Sequence, residues 1–187
     1  MEKLLNLFVM PAIFGAHPLG GNGFLSGVTH PLSGLDHLLA MVAVGIISVQ
    51  VSGKAVWKVP ATFVVFMVGG GVMATSGIRL PMIESGIALS VLVLGLAIAL
   101  SKRYPLALTM SCVAIFAAFH GHSHGEEMPL IANTVLYAIG FVLSTLLLHV
   151  SGVLIGYCAK KTELTSKLLQ YAGTAICAAG IFFLIGY

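Results

Sequence analysis

Little in this sequence is charged. Lys and Arg number 9 and Asp and Glu 6 among 187 residues, or 8%, where soluble domains carry about 25%. Hydrophobic residues make up 58% of the chain, and its mean hydropathy is +1.05. A soluble core cannot use that much apolar surface, so lipid is the solvent for most of the chain. The basic residues are scattered among short loops and form no patch, so the net charge of +3 does not point to nucleic acid. Cysteine is also scarce. Cys112, Cys158 and Cys177 show no C-x-x-C pairing and fall in or near apolar runs, which reads as small core residues in helices rather than a disulfide or thiolate site. Alternation of polar and apolar residues is missing too. GIALSVLVLGLAIAL (86–100) has none, which excludes a transmembrane β-barrel.

What the chain does have is apolar runs of spanning length. A hydrocarbon core about 30 Å thick asks for about 20 apolar residues per helix. Six spans are predicted, at 23–50, 56–76, 82–100, 104–121, 130–158 and 166–187. The fold class is therefore all-α: a polytopic integral membrane protein, a six-transmembrane-helix bundle occupying 23–187 as one domain. Positive residues are retained on the cytoplasmic side. Lys54 and Lys58 follow the first span, Lys102 and Arg103 the third, and Lys160, Lys161 and Lys167 surround the fifth loop. The loop after the second span has only Arg79, and the loop after the fourth has no Lys or Arg. This distribution puts the C-terminus outside.

Residues 1–22 form a distinct segment. MEKLLNLFVMPAIFGA places Lys3 before a short apolar run, as a signal sequence does, but Phe14 sits three before a cut after Ala16 and makes a poor cleavage site. Two readings stay open: a leader whose removal leaves His17 first, or a retained amphipathic or re-entrant helix. PLGGNG (18–23) then reads as a loop.

Ionisable groups inside membrane helices are costly and suggest a functional site by default. They gather in two places, HPLSGLDHLLAM (30–41) and FHGHSHGEEMP (119–129). At about 100° per residue, His120, His124 and Glu127 share one helix face, while His122 and Glu126 point elsewhere. An i, i+4 histidine pair with a carboxylate three residues on can converge on one cation. Gly121 and Gly125 allow close approach of another helix or a hydrated ion. Pro129 fits the first turn of the fifth helix. In the first motif, His30 and His37 are seven apart and would share a face of an ideal helix, but Pro31 and Gly34 predict a kink or unwound segment. Asp36 supplies the negative charge a divalent cation needs to leave water. Met41 is a thioether ligand or, more plainly, core. Imidazoles with one or two carboxylates suit nickel, cobalt, zinc or copper(II), and are a poor match for magnesium or calcium.

Plainer readings stand beside these. His149 reads as a cross-helix hydrogen-bonding group, with Ser144 or Thr145 as partner. His122, Glu126 and His17 read as solvated loop residues or a weak capture site at the entrance. Glu84 reads as an interfacial charge. For His30, Asp36, His37, His120, His124 and Glu127 together, six costly groups in two clusters argue for a metal site.

The two motifs resemble the signatures of the HupE/UreJ family of nickel/cobalt permeases. HPLSGLDH is similar to that family's H-P-x-x-G-x-D-H in its first helix, and FHGHSHGEEMP to F-H-G-x-A-H-G-x-E-x-P in its fourth. The resemblance implies that His30, Asp36 and His37 are first-helix metal residues, and that His120, His124 and Glu127 are those of the fourth. Ser123 stands where the family has alanine, and the family lends no role to His122 or Glu126. The implied function is import of Ni2+ or Co2+, with Zn2+ also compatible, across a bacterial inner membrane. The ion is cargo rather than a prosthetic group, and the protein is not an enzyme. No ATP-binding motif accompanies it. A gradient, an intracellular sink or a partner such as a cytoplasmic metal acceptor must then drive uptake, and a homo-oligomer stays open. The alternative from another class is an intramembrane metal-dependent hydrolase, in which the histidines and aspartate hold a water-activating zinc; a static sensor or storage site is a third.

Overall fold

The computed structural model describes residues 23–51, 53–128 and 133–186. The leader-like segment with His17, and Pro129, lie outside the described residues. Seven helices and no strand occur among the described residues: α1 (Gly23–Ser33), α2 (Leu35–Val51), α3 (Ala55–Thr75), α4 (Ile83–Leu100), α5 (Leu106–Glu126), α6 (Thr134–Ala159) and α7 (Glu163–Gly186). Helices α3 to α7 are each long and apolar enough to cross a membrane, and α1 with α2 qualifies as one span bent by 83°. This is a helical, polytopic membrane bundle with a broken first span.

The break follows from the sequence. Pro31 lies inside α1 and brings no N–H to the helix. Gly34 alone separates α1 from α2. A Cβ on Gly34 would lie 2.9 Å from Asp36 Oδ1 and 3.0 Å from His37 Nδ1. A glycine leaves room for these two side chains against the break; a larger residue would require them to shift.

Between membrane helices, packing rather than hydrophobic transfer drives association, and small residues allow the closest packing. Three helix pairs use this. α5 lies parallel to α3, with Gly121 against the Met67 carbonyl and Gly70 against that of Ala118. α1 and α2 both pack on α6, with contacts that advance in the same chain direction: Gly27 lies against Tyr137 and Gly45 against the His149 carbonyl. α4 lies antiparallel to α7, with Gly95 at Cys177 and Gly180 at Leu92. Phe63, Met67, Met41, Val44, Val91 and Ala117 fill the centre, whereas Trp57, Leu147 and Ile185 are exposed on faces suited to lipid. Met41 is therefore core, and Cys158 lies exposed rather than buried.

The two ends of the bundle differ in charge. At one end Lys160 Nζ donates to the Val49 carbonyl, and Gln50 Nε2 donates to that of Ile98 at 3.3 Å. Partial burial and the neighbouring Arg103 push the Lys160 ammonium below its usual pKa. The opposite end carries both histidine motifs. α5 continues to Glu126, past the expected end at 121, so His122, Ser123 and His124 are helical.

Candidate metal centre

Two groups of three side chains meet at the histidine end. His37 from the first turn of α2 meets His120 and His124, one turn apart on α5. Its ring centroid lies 4.8 Å from that of His120 and 4.3 Å from that of His124. One ring nitrogen from each of these three buried residues lies within 4.8 Å of the others. Nearer the surface, His30, His124 and Glu127 form a second group within the same limit. His124 belongs to both. Its ring packs against His30 at 4.7 Å and Phe141 at 4.2 Å. It also lines a cavity of about 130 Å³ between α3, α5 and α6, with Met67, Gly121 and Tyr137 among the other walls.

Hydrogen bonding fixes which nitrogens carry lone pairs. Asp36 Oδ1 accepts from both the backbone N–H and Nδ1 of His37, each at 2.8 Å. That assigns the His37 proton to Nδ1 and leaves a lone pair on Nε2, which is buried with no partner among the described residues. Ser90 on α4 spends its hydroxyl proton on the Ile87 carbonyl at 2.6 Å. Its oxygen must therefore accept from His120 Nε2, 2.9 Å away. The His120 lone pair is then on Nδ1, also buried and unpartnered. Neither ring nitrogen of His124 has a hydrogen-bond partner among the described residues. Each unmatched buried polar atom costs about 1–3 kcal/mol, so a cluster of them converging on one point is a donor set waiting for an acceptor. Such neutral imidazoles can ligate a borderline transition metal.

The outer group differs in chemistry. His30 Nε2 lies 2.9 Å from Glu127 Oε2, and the Ser123 hydroxyl donates to Glu127 Oε1 at 3.1 Å. The hydrogen bond from His30 holds the Glu127 carboxyl below the usual glutamate range, against the opposing effect of partial burial. Glu127 is the charged member of this group and is exposed.

The structure thus brings His30, His37, His120, His124 and Glu127 into two linked groups. Asp36 belongs to neither group and stands behind His37, orienting it. The break at Gly34 also assigns His30 and His37 to different groups, where an ideal helix would have put them on one face.

His122 and His149 depart from expectation, whereas Glu126 and Glu84 are exposed as expected. His122 is fully buried rather than solvated, with Nε2 2.7 Å from the Ile78 carbonyl and 3.2 Å from the Leu80 N–H. It ties α5 to the α3–α4 connection, which its helical phase alone could not reveal. Glu126 is exposed and 3.9 Å from His122 Nδ1. Glu84 lies exposed in the first turn of α4, where the helix dipole favours a carboxylate. His149 is buried but makes no hydrogen bond to Ser144 or Thr145. Sequence reasoning missed Ser90, a lone hydroxyl in an apolar run whose only signal was its polarity.

A helical membrane protein with clustered buried imidazoles has the donor atoms of a metal-handling protein, and comparison with known proteins narrows this. The sequence profile described as HupE / UreJ protein matches residues 4–183. The protein HupE of Rhizobium leguminosarum bv. viciae is 44% identical over 184 residues, covering 97% of this chain and 95% of that protein. No solved structure matches. The chain belongs to the HupE/UreJ family, a nickel/cobalt transporter family.

Proposed function

We propose that this protein is a permease that imports Ni2+ or Co2+ across a bacterial inner membrane, with the histidine end outside and the lysine-rich end in the cytoplasm. The cation is captured by Glu127, His30 and His124. The carboxylate offsets part of the charge as the ion sheds water. His124 keeps hold of the ion while His37 and His120 replace Glu127 and His30. Asp36, hydrogen-bonded to His37, makes that imidazole a stronger donor and carries negative charge close to the buried group, as outer carboxylates do for ligating histidines.

The observation that carries this reading is the sharing of His124 between an exposed, charged group and a buried, neutral one. A shared ligand lets an ion move inward without ever losing all its protein contacts, which suits transport better than a static site. The transport character of the family favours a permease over a hydrolase in the same direction.

Metal uptake into sealed vesicles is the test. Wild-type protein is expected to move nickel or cobalt, and His37→Ala and His124→Ala to lose that activity. A wild-type protein that moves neither metal, with both variants behaving identically to it, would refute the proposal.

A further inference from the structure

His149 takes no part in either group, yet it has the same unusual property. It is 1% exposed, and neither ring nitrogen has a hydrogen-bond partner among the described residues. A neutral imidazole always presents one donor and one acceptor, and native interiors rarely leave both unmatched without an ion, water or mechanism to account for them. A purely structural histidine at this depth would bond to a neighbouring helix. The nearest hydroxyl on its own face, Thr145 one turn away, instead donates to Met67 Sδ at 3.7 Å.

Its position extends the line of imidazoles. The His149 backbone packs on Gly45 of α2. Gly45 follows His37 by eight residues, or about 12 Å along a helix toward the lysine-rich end. Between the buried group and His149 stands Phe63 of α3, its ring centroid 5.7 Å from that of His120 and 5.0 Å from that of His149. Phe63 is fully buried. Met67 follows it by one turn, so two facing rows, Phe63 with Met67 and His149 with Thr145, line the same seam between α3 and α6. The seam offers an imidazole nitrogen, a hydroxyl and a thioether, a soft-to-borderline donor set of the kind that suits late first-row divalent metals.

We infer that His149 is a second, deeper station for the transported cation, reached from the His37, His120 and His124 group by passage past Phe63, with Thr145 and Met67 lining the approach. This rests on the permease reading above and adds to it an inward continuation on a different helix pair.

The test uses full-length protein in vesicles, with nickel and cobalt as probes and three readouts: uptake per folded protein, equilibrium metal binding and thermal unfolding. His149→Leu removes two unmatched polar atoms, so its unfolding temperature is expected to equal or exceed that of the wild type. Its metal binding at the outer groups should stay within about two-fold of wild type, while uptake falls about ten-fold or more, the effect on a rate of losing one stabilising ligand contact. His149→Gln, which keeps a polar amide but no imidazole, should be as slow. His149→Met, which supplies a thioether, should recover part of the rate. Uptake by the leucine or glutamine variant at the wild-type rate would overturn the inference, as would failure of the leucine variant to fold, which would mark the imidazole as structural. Wild-type protein that moves neither metal would sink the permease reading itself, a result distinct from any difference among His149 variants.

Discussion

The two ligand groups share His124 but sit in opposite environments. In the outer group the His30 and Glu127 side chains are 23% and 49% exposed. In the inner group His37, His120 and His124 are 7%, 0% and 3% exposed. The outer group carries its negative charge on a ligand. The inner one offers only neutral imidazoles, with the charge of Asp36 held behind one of them. A hydrated divalent ion is drawn to an exposed carboxylate at low desolvation cost. A partly dehydrated ion passes more readily among neutral donors that do not trap it by charge. In the proposed route, this difference separates capture from passage.

The proposal can be broken at the point the two groups share. His124→Ala removes a ligand from both, and uptake into vesicles should fall by about 100-fold or more, since losing even an outer-shell partner costs metal sites 10–100-fold. Retention of rapid uptake would break the comparison. The groups can next be separated. His120→Ala should leave capture intact and stop passage, so metal still binds but uptake falls by about the same factor as for a lost ligand. Glu127→Gln should instead weaken binding, shown by a higher half-saturating metal concentration with a smaller change in maximal rate. Asp36→Asn should lower uptake by about ten-fold, because the amide holds His37 less well and brings no charge.

The pH response tests which member of the outer group titrates first. Protons compete with metal for imidazole, and the reference histidine pKa is about 6.5. Glu127 is held below the usual glutamate range by His30, so loss of its charge is not what limits uptake near the reference imidazole pKa. Uptake should therefore decline as pH falls through the imidazole range rather than through the lower carboxylate range, measured as initial rate against pH. The smallest effect is expected from Ser123→Ala, which removes one hydrogen bond to Glu127. Water can take the place of that hydroxyl at the exposed carboxylate, so the net cost is about 1 kcal/mol and apparent affinity should change by about five-fold or less.

Much of the architecture was legible because hydropathy dictates it. Runs such as 86–100 have one plausible state in lipid, and Pro31 with Gly34 announced the break in the first span. The helical phase of His120, His124 and Glu127 was equally readable, since i, i+4 and i, i+7 neighbours share a face. What the sequence hid was everything set across helices. Asp36 reads as a ligand until the fold at Gly34 turns it onto His37. His122 points away from its neighbours on α5 and, for that reason, meets the carbonyl of Ile78. His149 lacks its expected partner because Thr145 is engaged with Met67 on α3. Ser90 fixes the His120 tautomer from another helix, and no local pattern marks it.

The central claim is that one histidine serves two sites. A structure of the protein with nickel or cobalt bound tests it most directly. The account predicts an ion within ligand distance, about 2.1 Å, of a His124 nitrogen, joined either by His37 and His120 or by His30 and Glu127, with Asp36 bonded to His37 and not to the metal. An ion held by Asp36 directly, or bound without His124, would contradict it.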